Sequence, residues 1–389
     1  MGEARDIAGF IIPYTAGIFT AVIGAAAFGC LIVPIASTSS LIAAISLIIM
    51  LLPGRKHIHP VFTWMLTAIA GMSAGLRGGL TGILTSWSHT ADTGWLAETA
   101  LSFRLSLETV IDAIPFRDED TSALLKALLT GNRESLPAHI TDAFRASGAS
   151  HILALSGLHL GIIYGILVKI LGVLGNSLKA RIIRSSLIIS ACGFYTMATG
   201  AGPSITRAFL FILLGEAARL TGRSNSLGHI LAASLLIQLT FDPLSAGSVG
   251  FQLSYAAMAG IAFIFPRLKG LWPGSVFDDG IMTRCTRWIW EVCSMSISCQ
   301  LATGALAWLY FRTLPKHFLL TNLLAIPLTG LIIPAIMITL ILNEMGICPV
   351  FVLQTAEWMI STLIRVLEII ATMRPGPQTR NRTPYQSGD

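Results

Sequence analysis

The chain has 389 residues, of which 53% are hydrophobic and 12% are charged, and its mean hydropathy is +0.72. An average soluble domain carries about a quarter charged residues, so the composition excludes a large water-soluble protein. Apolar surface in such excess has to be buried in a bilayer. We therefore predict an all-α, polytopic transmembrane bundle of about 10 to 11 helices, with short amphipathic surface helices.

The first part of the chain consists of apolar runs. No Asp, Glu, Lys or Arg occurs between Ile7 and Gly54, and about 20 apolar residues cross a bilayer core, so this stretch alone predicts two helices. The run is too long for the apolar region of a signal peptide, and the first helix is expected to be retained. The predicted spans are about 9–30, 36–53 and 60–84, in an N-terminal membrane region, 1–90.

An acidic segment, 91–145, follows. Up to Asp142 it holds nine acids and four bases, a net charge of −5. Because the whole chain has a net charge of +6, the other residues together carry +11. Stretches at about 97–113 and 121–130 are amphipathic. We predict an external segment of short helices that lie on the membrane surface or cap the bundle.

Residues 146–374 are predicted to form a membrane channel domain, and 375–389 a polar, disordered tail. Basic residues cluster in alternate connections, which predicts that those connections are cytoplasmic. A re-entrant segment near Pro327 or Pro334 would reverse the side of the C-terminus. The predicted spans are about 149–175, 185–202, 204–221, 226–241, 247–265, 289–311, 317–342 and 349–372.

Two histidines and a serine interrupt the first of these spans. On a helix that advances about 100° per residue, His151, Ser156 and His159 cluster on one side. Ionisable groups within a span usually face a bundle interior or a water-filled cavity, so this face is a candidate channel lining. Two other interpretations stay open. Each imidazole hydrogen-bonds a neighbouring helix, or Ser156 and His159 form a hydrolytic Ser-His pair, although no G-x-S-x-G elbow surrounds Ser156.

The opposite side of the same span carries small residues. Gly157, Gly161 and Gly165 recur at four-residue spacing. This small-xxx-small pattern is typical of membrane helices that approach each other closely. We predict that these glycines form a helix-packing stripe.

The next break is the segment GAGPSITRAFLF, where Ser204 is predicted to cap a new helix with Arg207 in its first turn. A helix N-terminus at membrane depth favours an anion such as a phosphate. The alternative interpretation is that Arg207 reaches the lipid head groups or pairs with Glu216.

Uncharged polar residues lie within three later spans. Their usual use is interhelical hydrogen bonding, although they are also candidates for lining a channel. Asn322 precedes the helix-breaking Pro327 and is expected to satisfy carbonyls that this proline frees. The candidate residues are Gln252, Ser254, Gln300 and Asn322.

The sequence contains no motif for a zinc site or for a nucleotide-binding loop. The H-x-H at His57 and His59 is followed by Pro60 rather than by further zinc ligands, so no metal site is predicted. No phosphate-binding G-x-x-x-x-G-K-[ST] loop occurs. We therefore predict no cofactor and no ATP-driven transport by this chain itself, and no residue is assigned a catalytic role that would make it an enzyme.

Together, several separated motifs resemble the ComEC-type competence proteins, a family of inner-membrane channels for DNA internalisation. The resemblance covers about residues 103–373. The full-length family adds an OB-like domain and commonly a metallo-beta-lactamase-like nuclease domain, and this sequence resembles a core-only member without either. The motifs are ALLTGNRESLP (127–137), SGASHILALSGLHLG (147–161), GPSITRAF (202–209), DPLSAGSVGFQLSYAAMAGI (242–261) and a region at 300–327 that contains TNLLAIP.

The resemblance implies uptake of single-stranded DNA across the inner membrane in natural transformation. It also implies membrane lipid, a DNA receptor and a cytoplasmic ATPase or helicase as partners, and leaves open whether the chain acts alone or as a homo-oligomer. Positively charged grooves with stacking surfaces suit single strands. The alternative is a diverged membrane scaffold or small-solute permease of the same fold.

Overall fold

A computed structural model describes residues 95–221, 226–241, 243–272, 280–312 and 316–373. The predicted N-terminal spans and the predicted polar tail lie outside the described residues. All regular secondary structure within the described ranges is helical. The α-helices are α1 (Trp95–Ala113), α2 (Glu119–Leu129), α3 (Ala138–Ser147), α4 (Ser150–Leu153), α5 (Gly157–Leu171), α6 (Leu178–Ala198), α7 (Pro203–Leu220), α8 (Leu227–Phe241), α9 (Val249–Ala259), α10 (Phe265–Lys269), α11 (Ile281–Phe311), α12 (Phe318–Glu344) and α13 (Val350–Thr372).

Five stretches of the described residues are long and apolar enough to cross a membrane. Helices also form at the predicted spans 185–202 and 204–221, but α6 and α7 are not among these five, because charged residues shorten their apolar runs. The prediction of an all-α, polytopic membrane bundle is confirmed. The five stretches are Gly157–Leu174, Val249–Lys269, Ile281–Phe311, Phe318–Glu344 and Val350–Thr372.

The predicted span at 149–175 is interrupted near its start, and its membrane-length part is Gly157–Leu174. The chain forms the short helix α4, leaves helical geometry at Ala154, and begins α5 only at Gly157. The hydroxyl of Ser156 accepts a hydrogen bond from the backbone N–H of Leu158 at 3.3 Å. A serine that binds a free backbone N–H of the first turn in this way is typical of a helix start. The face calculated for a continuous helix therefore does not apply to His151 and Ser156.

The predicted span at 317–342 forms one helix, and the alternative of a re-entrant segment near Pro327 or Pro334 does not occur. Helix α12 continues through both Pro327 and Pro334. Neighbouring helices can accommodate the carbonyls that a proline frees inside a membrane helix, and α11 and α13 both pack against α12.

The acidic segment shares the largest apolar core with the last two helices. Ile111, Leu124 and Phe144 from this segment are buried with residues of α12 and α13. The α12 residues of this core run from Ala325 to Leu340, about 22 Å at a rise of 1.5 Å per residue. Each of helices α1 to α3 contacts α12 or α13, and α3 has the most extensive contact, with α13. Helix α3, which the sequence reading did not predict, ends at Gly148 with a φ of 88°.

Two smaller apolar cores hold the central helices. One joins α5, α6 and α7, and the other joins α7, α8 and α9. The side chain of Arg181, at the start of α6, donates to the carbonyl of Arg219 at the end of α7. Two of the predicted cytoplasmic basic clusters therefore lie at the same end of the bundle, while the side of the membrane that they face stays a prediction.

Candidate functional site

Five of the helices contact one another in a closed cycle. Helix α5 contacts α7, α7 contacts α9, α9 contacts α11, α11 contacts α12, and α12 contacts α5. We call this set the five-helix ring. Ser156 caps one of its helices, and every other predicted polar site residue except His151 lies on one of them.

The start of α5 holds Ser156 and His159 in a capping box. The backbone N–H of Ser156 donates to Nδ1 of His159 at 3.4 Å, and the hydroxyl of Ser156 lies 3.4 Å from the same nitrogen. His159 is 1% exposed, and among the described residues its Nε2 has no hydrogen-bond partner. No described group orients this imidazole as a base, so the contact serves the helix start. His151 is on α4 and exposed.

The predicted glycine stripe is only partly a packing surface. A Cβ atom at Gly157 would lie 3.5 Å from the Cβ atom of Ala208 on α7, which is an ordinary contact distance. At Gly161 and Gly165, no atom of the described part of the chain would lie within 4 Å of such a Cβ. Close approach to another described helix is therefore confined to Gly157.

Arg207 is buried between α7 and α9. Its Nη2 donates to the carbonyl oxygen of Gly250 at 2.9 Å, and its guanidinium carbon lies 5.9 Å from the ring centroid of Phe251. The alternative of an ion pair with Glu216 is wrong, because Glu216 binds Arg219 instead. The predicted cap by Ser204 is also wrong, since α7 begins at Pro203 with Gly202 as its N-cap.

The uncharged polar residues connect helices of the ring. Gln252 accepts from the hydroxyl of Tyr310 on α11 at 2.7 Å and donates to the carbonyl of Ala246 at 2.9 Å. Asn322 donates from Nδ2 to the hydroxyl of Ser296 on α11 at 3.3 Å, so it bonds a neighbouring helix rather than carbonyls near Pro327. Interhelical hydrogen bonding is thus confirmed for Gln252 and Asn322. Ser254 and Gln300 are half-buried.

Glu216, considered above only as a partner of Arg207, is a buried carboxylate that joins three helices. Glu216 on α7 is 2% exposed and accepts from Tyr164 on α5 and from Ser185 on α6, each at 2.7 Å. It also accepts from Arg219 at 2.9 Å. A glutamate inside a predicted span was the available signal, but the sequence did not indicate its hydroxyl partners.

Among the described residues, the glycine packed most tightly against the backbone of another helix is one that the stripe did not include. A Cβ atom at Gly260, which follows α9, would lie 2.5 Å from the carbonyl oxygen of Ser298 and 2.9 Å from the Cβ of Ala302. The backbone there forms a π-helical stretch, Gly260–Ile264, before α10. The signal that could have found it is the pair of small-xxx-small patterns, Ala256 with Gly260 and Ser298 with Ala302.

A cavity of about 390 Å³ lies between α10 and α11. Its lining combines the indoles of Trp272 and Trp290, whose ring centroids are 6.1 Å apart, with Lys269 and Arg287. Glu291 pairs with both cations, at 2.9 Å from Lys269 and 3.5 Å from Arg287. Aromatic and basic side chains together are the residue types that track single-stranded nucleic acid.

Three known proteins are similar to part of this chain. ComE operon protein 3 of Bacillus subtilis (strain 168) is 33% identical over 140 residues, which is 35% of this chain and 17% of the relative. Competence protein ComA of Neisseria gonorrhoeae is 30% identical over 151 residues, 36% of this chain and 21% of the relative. YcaI of Escherichia coli (strain K12), described as uncharacterized, is 25% identical over 258 residues, 62% of this chain and 31% of the relative. No solved structure matches.

The alignments extend over less than a third of each relative's own length. The family comparison covers far more of the present chain. A sequence model described as "Competence protein" matches residues 128–384, a range that includes the whole five-helix ring and most of its supporting helices. Because this match extends over more than half of the chain, the protein belongs to the Competence protein family and is a competence-related membrane protein of the ComEC type.

Proposed function

We propose that this chain forms a conduit for single-stranded DNA across the inner membrane during natural transformation. The observation that carries the proposal is the five-helix ring, in which Arg207, Gln252 and Asn322 make polar contacts at three successive helix interfaces. Polar groups at membrane depth are costly, and they usually mark a pathway for substrate or ions. Membership of the family, and two relatives named for competence, support DNA as the substrate class.

The cavity lined by Trp272 and Trp290 supports the same proposal. It lies beside the basic connection that is predicted to be cytoplasmic, where a strand leaving the conduit would meet indole rings and two cations. We propose that a DNA receptor delivers the strand from outside and that a cytoplasmic ATPase or helicase pulls it through. The chain works in lipid either alone or as a homo-oligomer.

The test is deletion of the gene followed by transformation with labelled linear DNA. The proposal predicts that label still binds the cell surface but no longer enters the cytoplasm, and that a plasmid copy of the gene restores entry. Unchanged entry in the deletion strain would remove the conduit function.

A small-solute permease of the same fold is the second candidate. It is favoured by the hydrogen bonds of Gln252 to Ala246 and Tyr310, which hold one ring interface together. Normal DNA entry combined with altered solute accumulation in the deletion strain would select it. A Ser-His hydrolase receives less support, because Ser156 and His159 are engaged in capping α5.

A further inference from the structure

The starts of α7 and α9 lie side by side. Arg207, in the second turn of α7, binds the carbonyl of Gly250 in the first turn of α9. About one turn further along, the rings of Phe211 and Tyr255 have centroids 6.4 Å apart. The two helices therefore run in the same direction, and the positive ends of both helix dipoles lie at the same end of the bundle.

Arg207 is a buried cation with unused donors. The residue is 3% exposed, and its Nε and Nη1 have no hydrogen-bond partner among the described residues. No acidic side chain of the described ranges pairs with it. A buried guanidinium without a counter-charge is unfavourable, and its rigid fork of five N–H groups matches the oxygens of a phosphate.

The start of α7 is also open to an acceptor. Pro203 occupies the first helical position, and Gly202 provides no side chain to bind the free N–H groups of the first turn. By contrast, Ser156 caps α5 and Ser248 caps α9. Arg207 lies one turn into α7, and its guanidinium is held at Gly250 and Phe251 in the first turn of α9. The cation and the uncapped turn therefore lie at the same end of the bundle.

We propose that Arg207 and the uncapped start of α7 form a phosphate-binding site that contacts the backbone of the passing DNA strand. The inference rests on the proposed conduit function and assigns it a specific contact. In the described arrangement the carbonyl of Gly250 holds one guanidinium N–H. The two non-bridging oxygens of a phosphodiester accept from that donor and from one of the two unused nitrogens, while the ring of Phe251 keeps the guanidinium in place by a cation–π contact.

The first experiment compares charged and neutral DNA backbones on the purified, full-length protein in lipid nanodiscs. A fluorescent single-stranded oligothymidylate is titrated as the phosphodiester and as its uncharged methylphosphonate analogue, with anisotropy as the readout. Arg207→Gln is expected to weaken phosphodiester binding by about tenfold or more and to leave methylphosphonate binding unchanged. The exposed Arg365→Gln on α13 is the matched control and should bind as the wild type. Equal loss for both probes, or no loss, in Arg207→Gln would overturn the site.

The second experiment separates this site from the conduit function. Thermal unfolding is measured with and without inorganic phosphate for the wild type, Arg207→Gln and Arg207→Lys. Phosphate should stabilise the wild type, stabilise Arg207→Lys less, and leave Arg207→Gln unchanged. If phosphate stabilises through Arg207 but the wild type binds no oligonucleotide, the conduit function fails and the anion site stands. If phosphate has the same effect on all three proteins, the site fails.

Discussion

Ser156 illustrates how a polar residue in an apolar run can serve the backbone. Its hydroxyl accepts the N–H of Leu158, and its own N–H donates to the imidazole of His159. These two bonds satisfy groups that a helix start leaves without partners. The structure therefore favours a capping role over a nucleophilic one.

Replacing Ser156 by alanine should lower the free energy of unfolding by about 1 kcal/mol, because a helix cap is lost. DNA uptake should stay largely intact at matched protein abundance. Ser156→Thr keeps a capping hydroxyl and is the control for stability. Transformation frequency and the unfolding midpoint are the measurements. Loss of orders of magnitude in transformation by Ser156→Ala at normal abundance would favour the hydrolytic interpretation.

Gly260 sets the distance between α9 and α11. A methyl group at this position meets the carbonyl oxygen of Ser298 at 2.5 Å, and a backbone atom cannot move aside as a flexible side chain can. Gly260→Ala should therefore destabilise the protein by about 1–3 kcal/mol. Thermal unfolding in detergent measures the effect.

Gly330 on α12 is the matched control for that substitution. A Cβ atom there meets no described atom within 4 Å, and alanine is favoured over glycine inside a helix by roughly 0.5–1 kcal/mol. Gly330→Ala should be neutral or stabilising. If both variants unfold at the same temperature, the close contact at Gly260 is not a determinant of packing.

At the scale of helices, hydrogen bonds to Glu216 join α7 to α5 and α6. Its two carboxylate oxygens accept from Tyr164, Ser185 and Arg219. The carboxylate is almost fully buried, whereas the side chain of Arg219 is 49% exposed. The two hydroxyl bonds should contribute more to stability than the half-exposed ion pair does.

Glu216→Ala should accordingly cost about 3 kcal/mol, since it leaves two hydroxyl groups without their acceptor. Arg219→Ala should cost less than about 1 kcal/mol, because exposed ion pairs contribute little. Equilibrium unfolding of both variants tests the ranking. Equal losses, or a larger loss for Arg219→Ala, would show that the ion pair dominates.

At the scale of the whole molecule, the apolar spans were predictable from length and hydropathy. Helices α7, α8, α12 and α13 lie within two residues of the predicted boundaries, because membrane helices have to satisfy their backbone groups internally. Helices α6 and α11 begin seven and eight residues before the predicted spans, since their first turns are charged. The break before α5 was not predicted, since Ser156, which caps α5, was assigned to the polar face of one continuous helix. The packing of α1 to α3 against α12 and α13 was missed, because an amphipathic pattern gives a buried face but not its partner.

The candidate site was predictable as a set of residue types and not as a set of contacts. Gln252 and Asn322 were recognised as polar groups within spans, whereas their partners Tyr310 and Ser296 are ordinary residues in the sequence. The closed cycle of helices depends on contacts between residues far apart in the chain. A single sequence contains no direct signal for such contacts.

The central claim is that this chain itself carries the DNA strand. The most direct test is photo-crosslinking in transforming cells, with a photoreactive amino acid placed at Ser254 or Gln300 on the five-helix ring. We predict crosslinks to labelled incoming DNA at these positions and none at Trp358, which is exposed on α13 outside the ring. Variants that transform normally but never crosslink DNA at Ser254 or Gln300, or that crosslink equally at Trp358, would contradict the claim.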